Sequence, residues 1–261
     1  MPDVHDILAA KLASAAGFEA LYVGSFGYSA CGFGRPDQSL ITVESLIEQS
    51  RRVVDVVDLP IALDLEEGGG NAVTTYHNVR AAEAAGVAAI QIEDQVPGKE
   101  FGQGGDLYSL QVATDKIKAA SDARSDALII GRTQALAIGR DANEAMDRAV
   151  AFSDAGADLM TIAGLPEESV AQAKSRAGVP MAQFVFGQSL AQLEASEIKI
   201  AIYPGHSTMV QFEAVSNWLA HLKEDGKSFS DDDDIKSRYG TIIEFLGGKE
   251  NAALARKYGV L

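Results

Sequence analysis

The 261-residue sequence contains a single cysteine, Cys31. One thiol cannot form an intramolecular disulfide or a multi-cysteine metal site, so both are excluded. Basic residues are also scarce, since 22 Lys and Arg stand against 37 Asp and Glu and the net charge is −15. A nucleic-acid-binding surface needs clustered basic side chains to replace counterions, so no nucleic-acid partner is expected.

Long apolar runs are missing as well. No stretch approaches the roughly 18 uncharged apolar residues that a membrane-spanning helix needs, so no membrane partner is expected. The first residues, MPDVHDILAAKLASAAGF, carry acids early and lack the basic region and apolar core of a secretory signal. We therefore predict a cytoplasmic protein.

The sequence contains instead seven short runs rich in Val, Ile, Leu and Ala. They are apolar at consecutive rather than alternate positions, which is typical of strands buried on both faces of a parallel sheet. The runs are residues 20–24, 59–64, 87–94, 127–132, 157–162, 179–184 and 198–204.

Segments with helical periodicity separate these runs, at residues 41–56, 73–85, 142–155, 166–176 and 207–224. Repeated strand–helix units with short connections indicate a parallel sheet with right-handed crossovers. Seven clear strands and one weak one fit an α/β fold, a (β/α)₈ TIM-type barrel; an open doubly wound sheet is the alternative. We expect residues 1–225 to form the barrel and residues 226–261 a C-terminal helical extension.

Charged side chains follow three of the predicted strands. Asp64 and Glu66 come at the end of one strand, Glu93 ends the next, and Arg132 ends the third. In a parallel barrel these strand ends lie on one face, where active sites are built. Converging carboxylates repel unless a cation lies among them, and oxygen ligands favour Mg²⁺ or Mn²⁺. Each acid alone is equally consistent with a helix cap or a solvated loop residue.

Read in order, these segments resemble the isocitrate lyase/phosphoenolpyruvate mutase superfamily. The resemblance covers approximately residues 8–205, and it is carried by residues 17–37, 59–72, 84–95, 128–135 and 154–160. It implies a (β/α)₈ barrel that acts on a small carboxylic acid with Mg²⁺ as cofactor. It also implies a homo-oligomer, a dimer or a tetramer, whose C-terminal helix packs on a neighbouring subunit.

The same resemblance implies roles for individual residues. Asp64 would be the direct metal ligand, and Glu66, Glu93 and Asp37 would hold the water shell of the metal. Backbone N–H groups near Ser25 and Phe26, together with Arg132, would bind the carboxylate or 2-oxygen of the substrate. The implied chemistry is cleavage or formation of a bond next to a 2-oxo acid, through an enolate.

Departures from the family pattern indicate the branch. Lyases of the family carry Lys-Lys-Cys-Gly-His with a proton-donating Cys, whereas residues 99–103 here read Lys-Glu-Phe-Gly-Gln. Phe101 has no proton to give, and Phe-Gly resembles the oxaloacetate decarboxylase branch. That branch uses a His after the last strand, a position matched by His206, which would contact the substrate. Gln183 stands where that branch has Asn, and Gln134 where the family has Asp.

The resulting prediction is an enzyme, a Mg²⁺-dependent carbon–carbon lyase. It would decarboxylate, or cleave by a retro-aldol reaction, a 2-oxo or 2-hydroxy dicarboxylic acid, with Arg132 and His206 as the catalytic residues. The alternatives are a phosphonopyruvate-type hydrolase or mutase, and a barrel that binds ligand without catalysis. The glycine-rich segment 96–108 is expected to be a lid over the site or a plain surface loop.

Overall fold

A computed structural model describes residues 1–98, 105–226 and 232–261. Seven parallel strands form one sheet in the order in which they occur in the sequence. They are β1 (Leu21–Val23), β2 (Ile61–Asp64), β3 (Ala89–Glu93), β4 (Leu128–Thr133), β5 (Leu159–Ile162), β6 (Met181–Phe184) and β7 (Ile198–Ile202). Each lies within one of the seven apolar runs or overlaps it closely, so the predicted α/β barrel is confirmed.

Eleven helices lie in the described ranges, and most of those before β7 alternate with the strands along the chain. They are α1 (Ile7–Ala15), α2 (Ser25–Phe33), α3 (Val43–Val54), α4 (Ala72–Ala84), α5 (Leu110–Ala123), α6 (Ala142–Asp154), α7 (Val170–Ala177), α8 (Leu190–Ala195), α9 (His206–Asp225), α10 (Asp232–Phe245) and α11 (Gly248–Lys257), with a 3₁₀ turn at Glu167–Ser169. Side-chain N-caps define several starts, and Thr42, for example, accepts a hydrogen bond from the Ser45 N–H ahead of α3.

The N-terminal residues fill the gap between the two edge strands. The Asp3 N–H donates to the Tyr203 carbonyl at 3.1 Å, just beyond β7, and the Tyr22 N–H of β1 donates to the Pro2 carbonyl at 2.9 Å. Both bridges are parallel. The eighth position of the barrel is therefore occupied by a short N-terminal segment rather than by the weak strand that the sequence suggested.

Strand alternation decides which side chains enter the barrel, because successive residues of a strand point to opposite faces. The interior apolar cluster contains Tyr22, Ala62, Ile130 and Ala182, each from a different strand and each at an inward-facing position. The larger apolar cluster lies between the strands and the helices. By the same alternation, residues two positions after Ala62 and Ile130 point inward at the carboxyl end of the barrel.

The chain divides into two compact units, Met1–Val210 and Gln211–Leu261. The first holds the barrel, and the second holds most of α9 together with α10 and α11. The division falls inside α9, whereas the sequence placed it at residues 225/226, where that helix ends. Throughout the described ranges, no helix combines the length and the apolar character needed to cross a membrane.

Candidate active site

An arginine and two carboxylates from three neighbouring strands meet inside the barrel mouth. Nη1 of Arg132 lies 3.2 Å from Oδ2 of Asp64, and Nη2 lies 3.2 Å from Oε2 of Glu93. The sheet register places Glu93 directly beside Arg132. Burial disfavours the charged guanidinium, but the charges of Glu93 and Asp64 outweigh burial and raise the pKa of Arg132 above its usual value. Arg132 is therefore a fixed cation.

Below this ion-pair cluster, a row of hydrogen bonds crosses the barrel interior. The Tyr22 hydroxyl donates to Oε1 of Gln91 at 2.7 Å, and Nε2 of Gln91 donates to the Thr161 hydroxyl at 3.0 Å. The same Gln91 oxygen lies 3.4 Å from Nη1 of Arg132, whose guanidinium stacks 4.7 Å from the centre of the Phe184 ring. Gln91 thus holds the guanidinium from inside the barrel, and the Phe184 ring covers one of its faces.

Two adjacent cavities open beside Arg132, and both are lined by Asp37, Arg132, Phe184 and Phe186. The smaller, of about 250 Å³, also exposes Asp64 and the turn before α2. The larger, of about 510 Å³, extends along polar side chains that include Gln134 and Gln188. The smaller cavity fits a substrate of a few carbon atoms, and three of the five predicted substrate-binding residues line it, namely Ser25, Phe26 and Arg132.

The turn before α2 carries the predicted substrate-binding backbone. Ser25 is buried at the start of α2, and its hydroxyl donates to Oδ1 of Asp37 at 3.1 Å. The preceding Gly24 has no side chain to cap the helix. The first N–H groups of a helix have no partner within the helix. The backbone at Ser25 and Phe26 therefore offers donors toward the smaller cavity, which both residues line.

The turn after β2 positions Glu66 beside Asp64. Oδ1 of Asp64 accepts a hydrogen bond from the Glu66 N–H at 3.0 Å, and Glu66 has a left-handed backbone with φ 53°. A residue with a side chain rarely adopts this conformation, and such strain concentrates at functional sites. Only 4% of Glu66 is exposed, so its carboxylate is held inside the barrel mouth.

Glu93 and Asp94 have separate sets of partners. Oε2 of Glu93 accepts from Nε2 of Gln134 at 2.7 Å. Asp94 accepts from the Thr133 hydroxyl at 2.7 Å and lies 3.3 Å from Nη1 of Arg148. Burial raises the pKa of Asp94, while these bonds oppose the shift. Gln134 thus holds the Glu93 carboxylate in place, and Asp94 in turn holds Gln134 by accepting from its backbone N–H.

The other two predicted substrate-binding residues, Gln183 and His206, do not line the smaller cavity. Gln183 lines the larger cavity. With its amide nitrogen donating to the Ile162 carbonyl and its oxygen accepting from the Ile162 N–H, both at 3.1 Å, its side chain is bound to the end of β5. Nδ1 of His206 donates to the Pro204 carbonyl at 3.1 Å. The His206 ring lies 6.2 Å from that of Phe186, a cavity-lining residue.

Asp3 is a site residue that the sequence analysis missed. It lines the smaller cavity, and its carboxylate accepts from the backbone N–H groups of Gly24 and Gly205. Burial raises its pKa to about 6, the two N–H bonds oppose the shift, and the charges of Asp64 and Asp37 add to it. Gln91 was also missed, although a Gln inside an apolar strand was a usable signal; the N-terminal segment offered none.

The predicted lid lies only partly within the described residues. Its two ends pair antiparallel, with the Val96 N–H donating to the Asp106 carbonyl at 2.8 Å and a bridge between Gln95 and Leu107. Residues 99–104 are outside the described ranges. The predictions about Lys99, Phe101 and closure of the loop therefore stay predictions.

The four residues predicted to bind a metal ion, Asp37, Asp64, Glu66 and Glu93, all carry carboxylates. Within residues 1–98, 105–226 and 232–261, no three His, Cys, Asp or Glu side chains converge closely enough to hold a metal ion together. The chemistry of the donor set nevertheless fits a hard cation. Asp64, Glu66 and Glu93 supply only oxygen ligands, and their three negative charges exceed the single positive charge of Arg132. Mg²⁺ is commonly held by one or two carboxylates and keeps several waters. The residues fit that arrangement.

The chain is similar to known proteins over most of its length. A family model described as phosphoenolpyruvate phosphomutase matches residues 1–223. 2,3-Dimethylmalate lyase of Eubacterium barkeri is 35% identical over 236 residues, covering 86% of this chain and 81% of that protein. An oxaloacetate decarboxylase of Rhodopseudomonas palustris (strain BisB5) is 35% identical over 234 residues, covering 85% of this chain and 78% of that protein.

A solved structure extends the comparison. The crystal structure of phosphonopyruvate hydrolase in complex with oxalate and Mg²⁺ matches with a TM-score of 0.86 and 32% identity, covering 98% of this chain and 93% of that chain. The lyase and decarboxylase names bear out the predicted enzyme class, a carbon–carbon lyase. The matches extend across the barrel and include relatives above 30% identity, and the chain therefore belongs to the phosphoenolpyruvate mutase/isocitrate lyase superfamily.

Proposed function

We propose that this enzyme cleaves a carbon–carbon bond of a small 2-oxo or 2-hydroxy dicarboxylic acid and that it requires Mg²⁺, with Mn²⁺ as a substitute. The observation that carries the proposal is the position of Arg132. Its guanidinium is fixed between Asp64 and Glu93 in the wall shared by both cavities. An arginine held in this way binds a carboxylate in one orientation.

Arg132 also carries one donor that has no acceptor among the described residues. Its Nε is buried, and no acceptor for it exists in the part of the chain that the structure describes. A buried donor without an acceptor costs stability, which is typical of a residue kept for function rather than for packing. A substrate carboxylate in the smaller cavity contacts the guanidinium of Arg132, which lines that cavity, and the N–H groups at Ser25 and Phe26 bind its other end.

The cation belongs beside Asp64, with Glu66, Glu93 and Asp37 holding its waters. When bound, it supplies Lewis-acid stabilisation of the negative charge that develops on the 2-oxygen of the substrate. The phosphonopyruvate hydrolase structure, which contains Mg²⁺ and oxalate, supports this assignment by similarity. Arg132 and the α2 turn orient the substrate, so the bond to be broken has one fixed direction.

We assign a catalytic role to His206, whose ring lies 6.2 Å from that of Phe186, a residue that lines the smaller cavity. Its Nδ1 proton is committed to the Pro204 carbonyl, so in the neutral ring Nε2 carries the lone pair. That nitrogen orients a substrate hydroxyl or moves a proton at the cleaved carbon. Gln183 contributes to the wall of the larger cavity and defines the space for the distal part of the substrate.

The decisive experiment measures pyruvate and carbon dioxide release from a panel of 2-oxo and 2-hydroxy dicarboxylates, with Mg²⁺ and then with chelator. Cation-dependent turnover of oxaloacetate or an alkylmalate establishes the reaction and its substrate class. The panel is repeated with Asp64→Ala and Arg132→Ala, each checked for folding by circular dichroism. Full turnover by either folded variant would refute the site assignment.

Phosphonopyruvate hydrolysis is the second candidate. The observation in its favour is the 32% identity to phosphonopyruvate hydrolase across almost the whole chain. The sequence opposes it, because only Lys99 of the Lys-Thr-Asn-Ser type segment is present. Release of inorganic phosphate from phosphonopyruvate, with no turnover of dicarboxylates, would establish this reaction instead.

The proposal includes assembly of the enzyme as a dimer or a tetramer in the cytoplasm. The C-terminal unit exposes large apolar side chains, among them Trp218, Tyr239, Ile242 and Leu254. Exposed apolar surface of this extent is typical of subunit interfaces. Light scattering of the full chain after gel filtration tests it: a monomer at micromolar concentration contradicts the assembly without affecting the proposed reaction.

A further inference from the structure

Asp3 connects the beginnings of two helices that both border the smaller cavity. Its Oδ1 lies 2.9 Å from the Gly24 nitrogen, ahead of α2, and its Oδ2 lies 2.8 Å from the Gly205 nitrogen, ahead of α9. Only 2% of Asp3 is exposed. A single buried carboxylate therefore ties together turns that are about 180 residues apart in the sequence.

The Asp3 backbone strengthens the connection to α9. The Ser207 hydroxyl donates to the Asp3 carbonyl at 2.7 Å, and the same hydroxyl accepts from Nδ1 of His5 at 2.8 Å. The Asp3 N–H is committed to Tyr203. The N-terminal segment thus holds the start of α9 through side-chain and backbone bonds on both sides of Gly205.

Close packing at Gly24 and Gly205 leaves no room for a side chain at either position. A Cβ at Gly24 would lie 2.9 Å from Oδ2 of Asp3, and a Cβ at Gly205 would lie 2.5 Å from the Phe26 ring. Gly205 also has a φ of 64°, which favours glycine. Both glycines are therefore required for the carboxylate and the Phe26 ring to approach the two turns.

We propose that Asp3 is a positioning residue that holds the substrate-binding backbone at Ser25 and Phe26 and the imidazole of His206 at a fixed separation across the cavity. The inference rests on the proposed function, since it gives a role to residues assigned there. In this role Asp3 acts through the two turns rather than on the substrate. Asp3 keeps the turns at Gly24 and Gly205 ordered before the substrate binds, so less conformational entropy is lost on binding.

The test variant is Asp3→Asn, which is nearly isosteric. Its single amide oxygen accepts only one of the two N–H groups, and its NH₂ group faces the other donor. Asp141→Asn is the matched control, because Asp141 caps α6 from an exposed position away from both cavities.

Two measurements separate positioning from a structural role. Amide hydrogen exchange by NMR should become at least tenfold faster for Gly24 or Gly205 in Asp3→Asn and stay unchanged in Asp141→Asn. KM for the best panel substrate and Kd for oxalate should each rise at least tenfold while kcat changes less. A structural defect alone would lower the melting temperature and the active fraction at an unchanged KM.

The outcomes are distinguishable from those of the proposed function. Turnover by the wild type together with an unaltered KM and oxalate Kd in Asp3→Asn overturns the role of Asp3 alone, as does unaltered amide exchange. A wild type that neither turns over the panel nor binds oxalate rejects the proposed function and this inference together. If Asp3→Asn does not fold, Ser207→Ala, which removes the hydroxyl bonded to the Asp3 carbonyl, is judged by the same two measurements.

Discussion

The guanidinium of Arg132 in β4 lies 3.2 Å from the carboxylate of Asp64 in β2, and the two strands flank β3 in the sheet. Its other terminal nitrogen is equally close to Glu93. One planar cation therefore sets the separation of two carboxylates. A lysine, which presents a single point charge, cannot contact both carboxylates and a substrate in the same way.

The first prediction concerns replacement of this arginine. Arg132→Lys should lower kcat/KM at least about 100-fold, because the planar guanidinium that contacts both carboxylates and the substrate is lost. The measurement is steady-state kinetics on the substrate that the panel identifies. Arg176→Lys, at an exposed ion pair with Asp147, is the matched control and should keep wild-type kinetics. Activity of Arg132→Lys within threefold of wild type would contradict the role.

The second prediction concerns the cation. Asp64→Asn keeps an oxygen that can accept from the Glu66 N–H, so the turn after β2 should persist. We expect Mg²⁺ to raise the melting temperature of the wild type, as any ligand that binds only the native state does. The shift should disappear in Asp64→Asn, together with at least 99% of the activity, in differential scanning calorimetry and kinetics at matched Mg²⁺.

Asp141→Asn should retain both the Mg²⁺-dependent shift and the activity, because this carboxylate caps α6 on the surface. A Mg²⁺-dependent shift of wild-type size in Asp64→Asn would place the cation elsewhere. Activity of the wild type that survives exhaustive chelation would remove the cation from the reaction.

Much of the fold could be predicted from sequence because the strands are short, apolar and evenly spaced. Residues 87–94 read as a buried strand, and the structure has β3 at Ala89–Glu93. Helix α2 was not predicted, since SFGYSACGF contains two glycines and no clear apolar periodicity. Closure of the barrel by Pro2 and Asp3 was also not predicted, because two bridging residues leave no pattern of alternation or length.

The site was predictable where strand ends defined it. Asp64, Glu93 and Arg132 follow from the rule that parallel strands deliver their carboxyl ends to one mouth. Their actual pairing was not predictable, because it depends on side-chain directions that place Arg132 between two acids expected to bind a cation. Asp3 depends on tertiary contacts with Gly24 and Gly205, and nothing local to MPDVHD distinguishes it from an ordinary N-terminal acid.

The third prediction tests His206. Asn can preserve the hydrogen bond to the Pro204 carbonyl through its NH₂ group but has no counterpart of Nε2. His206→Asn should therefore fold normally and lose at least about 30-fold in kcat/KM, within the range known for acid–base groups. His77→Asn is the control, because His77 is exposed on α4 beside Tyr76. Unchanged kinetics of His206→Asn would show that the ring serves only packing.

The fourth prediction concerns Lys116 in α5, a buried cation outside the catalytic residues. Only 1% of Lys116 is exposed, its Nζ lies 4.2 Å from the centre of the Tyr108 ring, and among the described residues no acceptor bonds to it. Burial lowers its pKa from 10.5 to about 8, and the charges of Glu67 and Glu93 oppose the shift. At about 1.4 kcal/mol per pKa unit, holding the ammonium inside costs at most about 3.5 kcal/mol.

Because the folded pKa lies below the unfolded one, the unfolded chain binds more protons between pH 8 and 10.5. The penalty is therefore fully present below pH 8 and is relieved as the pH rises to 10.5. Lys116→Met should raise the free energy of unfolding by about 2 kcal/mol at pH 7, and this advantage over wild type should shrink toward pH 10.5. Urea unfolding at pH 7 and pH 10 measures both quantities, with Lys118→Met, at an exposed position of the same helix, as the control. A Lys116→Met protein less stable than wild type at pH 7 would mean that the contact with Tyr108 outweighs the cost of burial.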